Sequence, residues 1–261
     1  MVAWPLGASA QQPERMRRIG MLTGLAGDDA ETKARTAAFL EELQKLGWTE
    51  GRNVRIDTRA GAGNPATIRK YAAELVALEP DVIVVSGATP VARLLEVTHT
   101  VPTVFTIVVD PMGAGFIEKL SRPGGNATGF MMFDYSLSGK WLELLKQVAP
   151  SVTQVAVLRD TSSSAGVGQF AVIQATAPAL GVEVSTINVG DTRQMDRAVA
   201  AFASEPNGGL IVTAAPLTVV HRDLIVSLAA RYKLPAIYFD RTPVAGGGLI
   251  SYGPDLVAQL R

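Results

Sequence analysis

The sequence predicts an α/β protein built as two similar doubly wound parallel-sheet lobes joined by a hinge. Three observations carry that reading. Short apolar, β-branched runs alternate with segments of helical periodicity from residue 18 onward, landmarks of the first half recur in the second, and a compact turn-forming run at 121–129 lies between the halves. Strands that alternate with helices of this length make parallel sheets covered on both faces.

In the first half, residues 18–23 (RIGMLT) form an apolar run ended by Gly24, and residues 28–46 place Ala34, Phe39, Leu43 and Leu46 on one helical face. Gly47 closes that helix. Residues 53–59 alternate as a strand does, and Asn64 followed by Pro65 predicts an N-cap and first-turn proline for a helix over 66–77. Residues 81–86 (DVIVVS) read as a strand buried on both faces, Thr89-Pro90 is expected to cap a helix over 91–97, and 103–108 is a fourth strand.

The run Ser121-Arg122-Pro123-Gly124-Gly125-Asn126-Ala127-Thr128-Gly129 changes the chain direction. Pro fixes φ and lacks a donor, Gly accepts positive φ and Asn tolerates the left-handed region, so no helix or central strand is expected through 123–126.

Beyond it, helices are expected over 138–148, 166–177, 192–202 and 218–232, with Pro178 ending the second of them. Strands are expected over 154–158, 182–187, 210–213 and 236–239. Ile19 is echoed by Val155, Leu46-Gly47 by Leu180-Gly181, Ile83 by Ile211 and Val101-Pro102 by Leu234-Pro235, at nearly constant spacing. The expected division is therefore a lobe over 18–128, a second over 129–248 with Gly129 and Phe130 as the hinge, and a segment over 249–261 returning toward the first lobe.

Composition narrows the function. Hydrophobic residues make up 48% of the chain and charged residues 18%, which is the balance of a folded globular protein. Lysine plus arginine and aspartate plus glutamate both total 24, and no dense basic run is present, so nucleic acid is not an expected partner. No window approaches 18 uninterrupted apolar residues. The absence of cysteine removes disulfides, thiolate metal sites and cysteine nucleophiles. Ala8-Ser9-Ala10 carries the small-x-small pattern of a signal-peptidase site, so residues 1–17 are expected to be the remnant of an export signal and its leader.

In open α/β sheets, ligands sit beyond the carboxyl ends of the strands. The residues there are Thr23-Gly24, Ser86-Gly87-Ala88-Thr89 and Asp110 in the first half, and Asp160-Thr161-Ser162, Thr213-Ala214-Ala215 and Asp240-Arg241 in the second. If the lobes face each other, these loops line one cleft. The segment 86–89 precedes a helix whose free N–H groups and positive dipole end suit a carboxylate, and the hydroxyls of Ser86 and Thr89 add donors. Thr89 is alternatively only a helix cap. Asp110, Asp160 and Asp240 are candidates to meet an ammonium group, or are turn and cap residues.

Catalytic patterns are scarce. His99 and His221 lie in different halves without metal-ligand spacing, Ser86 and Ser162 lack the G-x-S-x-G elbow, and Gly24-Leu25-Ala26-Gly27 is neither a dinucleotide nor a phosphate loop. No cofactor and no metal is expected, and no enzymatic activity. An α/β enzyme with an interlobe active site, or the sensing domain of a regulator, are the alternatives.

Four ordered motifs carry a family resemblance. Arg18-Ile19-Gly20 opens the first strand, residues 46–53 read LGWTEGRN, residues 120–129 read LSRPGGNATG, and residues 246–253 read GGGLISYG. With these the chain resembles the substrate-binding proteins of ABC transporters, and more narrowly the tryptophan-binding-protein-like group of type I periplasmic binding proteins. The resemblance implies a bilobed, periplasmic, monomeric receptor that closes on a small solute, an amino acid or related molecule, and delivers it to a membrane permease. Carried over by position, it implies cleft loops at Thr23, Ser86, Gly87, Ala88, Thr89, Asp110, Ser162 and Asp240. Members of that group continue past the Ser251-Tyr252-Gly253 motif, so the chain is expected to be truncated at its C-terminus.

Overall fold

A computed structural model describes residues 15–260. The export remnant expected over 1–17 lies almost wholly outside the described residues. The described chain forms two five-stranded parallel sheets.

The first sheet holds β1 (Arg17–Thr23), β2 (Val54–Ala60), β3 (Val82–Ser86), β4 (Thr103–Val109) and β5 (Ala127–Phe133), in the order β2-β1-β3-β4-β5. Its helices are α1 (Ala30–Lys45), α2 (Pro65–Ala77) and α3 (Ala88–Leu95). The second sheet holds β6 (Gln154–Arg159), β7 (Glu183–Asn188), β8 (Gly208–Val212), β9 (Ala236–Tyr238) and β10 (Ile250–Ser251), in the order β10-β9-β8-β6-β7. Read from the other edge, that order repeats the first sheet strand for strand. The matched landmarks Ile83 and Ile211 fall on equivalent strands, β3 and β8, and both are fully buried. The second lobe is covered by α4 (Leu137–Val148), α5 (Ser164–Thr176), α6 (Thr192–Phe202), α7 (Pro216–Val220), α8 (Arg222–Arg231) and α9 (Thr242–Ala245).

Local chemistry explains most boundaries. Asp29 caps α1 by accepting from the amides of Glu31 and Thr32, and Asn64 caps α2 by accepting from Thr67 with Pro65 in the first turn. α5 gives way at Ala177 to a 3-10 turn that contains Pro178, which lacks the N–H a helix interior needs. The single helix expected over 218–232 is two, because the backbone at His221 leaves helical geometry between α7 and α8.

Strand alternation builds the core of the second lobe. Val155 and Val157 point to the face packed by Trp141, Leu145 and Ile173, while Ala156 and Leu158 point to the face packed by Met195, Val199 and Ile225. Each such buried aliphatic side chain contributes about 1.5–3 kcal/mol of transfer free energy. In the first lobe Leu22, Ile68, Leu75, Ile83 and Phe105 form the equivalent cluster.

Two expected crossing points move. Gly129 and Phe130 are the expected hinge, but with Thr128 they lie within β5, which pairs with β4 from Thr103↔Ala127 to Val109↔Phe133; the chain leaves the first sheet only after Phe133. Gly129 is required there by contact, since a Cβ would stand 2.0 Å from the Phe105 carbonyl oxygen. The return expected from residue 249 is also delayed. Ile250 and Ser251 stay in the second sheet, paired with Ile237 and Tyr238, and the Tyr252 amide donates to the Tyr238 carbonyl. The chain returns to the first lobe past Gly253, where Leu256 joins the interlobe cluster and the turn at Ala258–Leu260 reaches α1 and β4, with Leu260 buried.

Candidate functional site

The carboxyl ends of the two sheets face each other, and a narrow cavity lies between them. The first lobe supplies Thr23, Gly24 and Leu25 at the end of β1, Ser86, Gly87 and Ala88 where β3 passes into α3, Ile107 and Val109 from β4, Met132 from β5, and Arg35 from α1. The second lobe supplies Ala165, Ala214, Ala215, Pro216, Val219 and Phe239, and Leu256 follows from the final segment. Leu25, Ala88, Val109 and Met132 belong to the same buried apolar cluster as Ala165, Ala214, Val219 and Phe239. The cavity therefore interrupts an apolar seam continuous from lobe to lobe.

The start of α3 is shaped by backbone geometry. Gly87 holds φ +95°, a conformation open to glycine, and its amide donates to the Thr106 carbonyl. The helix begins at Ala88, one turn earlier than expected, so Thr89 sits inside the first turn instead of capping it. No side chain caps this end, and helix geometry leaves the N–H groups of Ala88 and Thr89 without an intrahelical acceptor. Thr89 is 7% exposed and its Oγ1 has no partner. Ser86 Oγ lies 2.8 Å from Thr106 Oγ1, and the amide of Leu25 donates to Thr23 Oγ1. Ile107 carries φ +56°, an unfavourable value for a β-branched residue, at the point where the β4–β5 register shifts.

Gln169, fully buried, holds the opposite wall. Its Nε2 donates to the Ala165 and Ala214 carbonyls, and its Oε1 accepts from the Ala214 amide. Thr218 Oγ1 interacts with the Thr213 and Ala215 carbonyls at 2.8 Å and so fixes the entry to α7.

The strand-end acids do not enter the cavity. Asp110 Oδ1 accepts from the Gly113 amide at 2.7 Å, Asp160 Oδ1 accepts from Ser162 N and Oγ, and Asp240 Oδ1 accepts from the Thr242 amide at 2.7 Å. Each carboxylate is turned into its own loop. Ser162, exposed, is likewise absent from the lining. Asp240 is 5% exposed and borders two further cavities beside this one; burial, reinforced by the nearby Glu31 charge, pushes its carboxyl above the usual range. Burial also pushes the Tyr238 phenol up to about 12.

Arg35 is the residue that sequence reasoning missed. It is 7% exposed, pairs with Glu31 one turn before it, and its Nε has no partner. A charged residue within an amphipathic helix reads as solvent-facing, and the available signal was weak: an arginine on a helix with few other polar reasons to be buried. Of the apolar walls, Ile107 and Phe239 were read only as strand residues, and Met132, in β5, was not singled out.

The lobes are linked around the cavity. Arg222 Nη1 lies 2.9 Å from Asp29 Oδ2, Trp141 in α4 meets Phe133 in β5 edge-on at 5.7 Å, and Tyr135 donates to the Ser164 carbonyl at 3.4 Å.

The family model for ABC transporter substrate binding proteins matches residues 22–259. The chain belongs to that family. The family consists of transport receptors, not enzymes. A tyrosine-binding protein of Clostridioides difficile is 25% identical over 223 residues, which is 83% of this chain and 62% of that relative. The chain thus spans about three fifths of the length of the curated relative it matches. Among solved structures, a conserved domain protein from Vibrio cholerae O1 biovar El Tor superposes with a TM-score of 0.86, and an ABC domain in complex with L-Trp from Streptococcus pneumoniae with 0.84. Both are 23% identical, covering 94% of this chain and 81% of theirs. Two α/β lobes on parallel sheets are common to all three.

Proposed function

We propose that the chain is the solute-recognition component of an ABC importer, exported to the periplasm, which closes as a monomer on a small solute, an amino acid or related molecule, and presents it to a membrane permease. The observation that carries this reading is the cavity itself, which both lobes line at the carboxyl ends of their strands. The uncapped start of α3 suits a carboxylate, and the aliphatic and aromatic walls suit an apolar body. The binding of tyrosine and of L-Trp named for two similar proteins supports a solute of this class. Closure is favoured by contacts that only the closed arrangement makes, among them Asp29 with Arg222.

The test is a thermal-shift screen against amino acids, aromatic acids, sugars and small oxyanions, followed by calorimetry and by product analysis. A saturating ligand at about 100 times its Kd adds about 2.7 kcal/mol to the folded state. Saturable stabilisation without conversion of the ligand is expected. Steady turnover of any of them, or no stabilisation by any class, overturns the reading.

A further inference from the structure

The polar groups around the cavity are unbalanced in kind. On the donor side stand the N–H of Ala88, which lacks an intrahelical acceptor, and the unpartnered Nε of Arg35, itself 7% exposed, both residues being part of the lining; Thr89, whose N–H and Oγ1 are likewise unused, follows directly in the helix behind the wall. On the acceptor side six carbonyls of the walls are engaged. The carbonyls of Thr23, Gly24 and Leu25 accept from the amides of Gly61, Gly63 and Ala62, and those of Ala165, Ala214 and Ala215 accept from Gln169 or Thr218. Among the described residues no aspartate or glutamate lines this cavity. Glu31, paired with Arg35, borders two neighbouring cavities together with Asp240, and Arg35 borders one of those as well.

We propose that the cleft selects a carboxylate with an apolar body and without an α-ammonium group, its carboxylate held between Arg35 and the first N–H groups of α3. The proposal rests on the receptor reading above and narrows its solute class. An ammonium brought into this cavity would be desolvated beside a buried guanidinium with no carboxylate to meet it, and a buried charge without a partner is strongly disfavoured. A carboxylate finds the opposite: a cation whose Nε is unused and a helix end whose dipole favours negative charge. Leu25, Ile107, Val109, Met132 and Phe239 then cover a hydrocarbon or aromatic body.

The experiment is calorimetry on the full chain with matched pairs that differ only in the amino group: phenylalanine and phenylpropionate, tyrosine and para-hydroxyphenylpropionate, leucine and isocaproate. Phenylpropionamide serves as the uncharged control. The deaminated acid is expected to bind at least about 10-fold tighter than its amino acid in at least one pair, and the amide about 10-fold weaker than its acid. The double variant Glu31→Gln/Arg35→Met, which avoids leaving Glu31 buried and unpaired, is expected to lose the preference for acid over amide. Equal or tighter binding of the amino acids overturns the proposal and leaves the receptor reading standing. Equal binding of acid and amide, or retention of the acid preference in the double variant, removes Arg35 from the site. If no member of any pair binds, the proposal fails, and the wider solute screen decides the receptor reading separately.

Discussion

Asp29 and Arg222 join the two lobes across the edge of the cleft, with Arg222 Nη1 2.9 Å from Asp29 Oδ2 and side chains only 19% and 15% exposed for the arginine and the aspartate. Asp29 also caps α1, so one carboxylate starts a helix of the first lobe and holds α8 of the second. Arg222→Met should weaken ligand binding about 5- to 30-fold, the equivalent of about 1–2 kcal/mol for a partly buried ion pair, while the melting of the individual lobes changes little. Calorimetry of both proteins checks this, and unchanged affinity removes the pair from closure.

The same pair sets an acid limit. Burial pushes the Asp29 carboxyl up, but the hydrogen bond from Arg222, the amides of Glu31 and Thr32 and the Arg222 charge together hold it below 3.8. A depressed carboxyl contributes stability that is present above 3.8 and lost as pH falls through the lowered value. The wild type should therefore lose its affinity advantage over Arg222→Met only below pH 3.8, which a pH series of binding isotherms measures.

Thr89→Ala separates a structural from a ligand-binding hydroxyl. Thr89 Oγ1 is buried without a partner, so its removal should leave the melting temperature unchanged or raise it. Ligand affinity should fall about 3- to 10-fold if the hydroxyl meets the solute. A loss of stability with unchanged affinity assigns Thr89 to the fold alone.

Gln169→Leu should cost about 2–4 kcal/mol in urea unfolding, because the Ala214 amide and carbonyl both lose a buried partner. The same wall faces the cavity, so affinity should fall as well. A loss below about 1 kcal/mol would show that water replaces the side chain.

Asp240→Asn tests the buried acid beside the cavity. Its carboxyl sits above 3.8 because of burial, so the native state takes up the proton first and gains stability as pH falls through the raised value toward 3.8. Asparagine keeps an acceptor for the Thr242 amide and carries no charge. The variant should melt higher than the wild type near neutral pH, and the difference should shrink as the pH drops into that window. A constant difference across the series contradicts the assignment.

The succession of elements was legible because each signal is local. The cap and first-turn proline at Asn64-Pro65, the β-branched run ending at Ser86 and the helix Thr192–Phe202 follow from neighbouring residues alone. Recurring landmarks also pointed to two lobes, and Ile83 and Ile211 do occupy equivalent strands. Crossing points were harder. Whether Thr128–Phe130 pairs with β4 depends on how the Asn126 turn delivers the strand to a partner some twenty residues earlier in the chain, and turn chemistry does not encode that register.

By itself, the sequence determined the alternation of strands and helices, the parallel sheets and the strand-end loops that approach the cleft, since periodicity and turn residues act over a few positions. Tertiary structure alone decided which side chains face the cleft. Asp110, Asp160 and Asp240 occupy the expected loops but bond within them, whereas Arg35, in mid-helix, is brought to the cavity by the packing of α1. Side-chain direction at a loop is set by competing hydrogen bonds of nearly equal strength, and burial of a helix face is set by what packs on it.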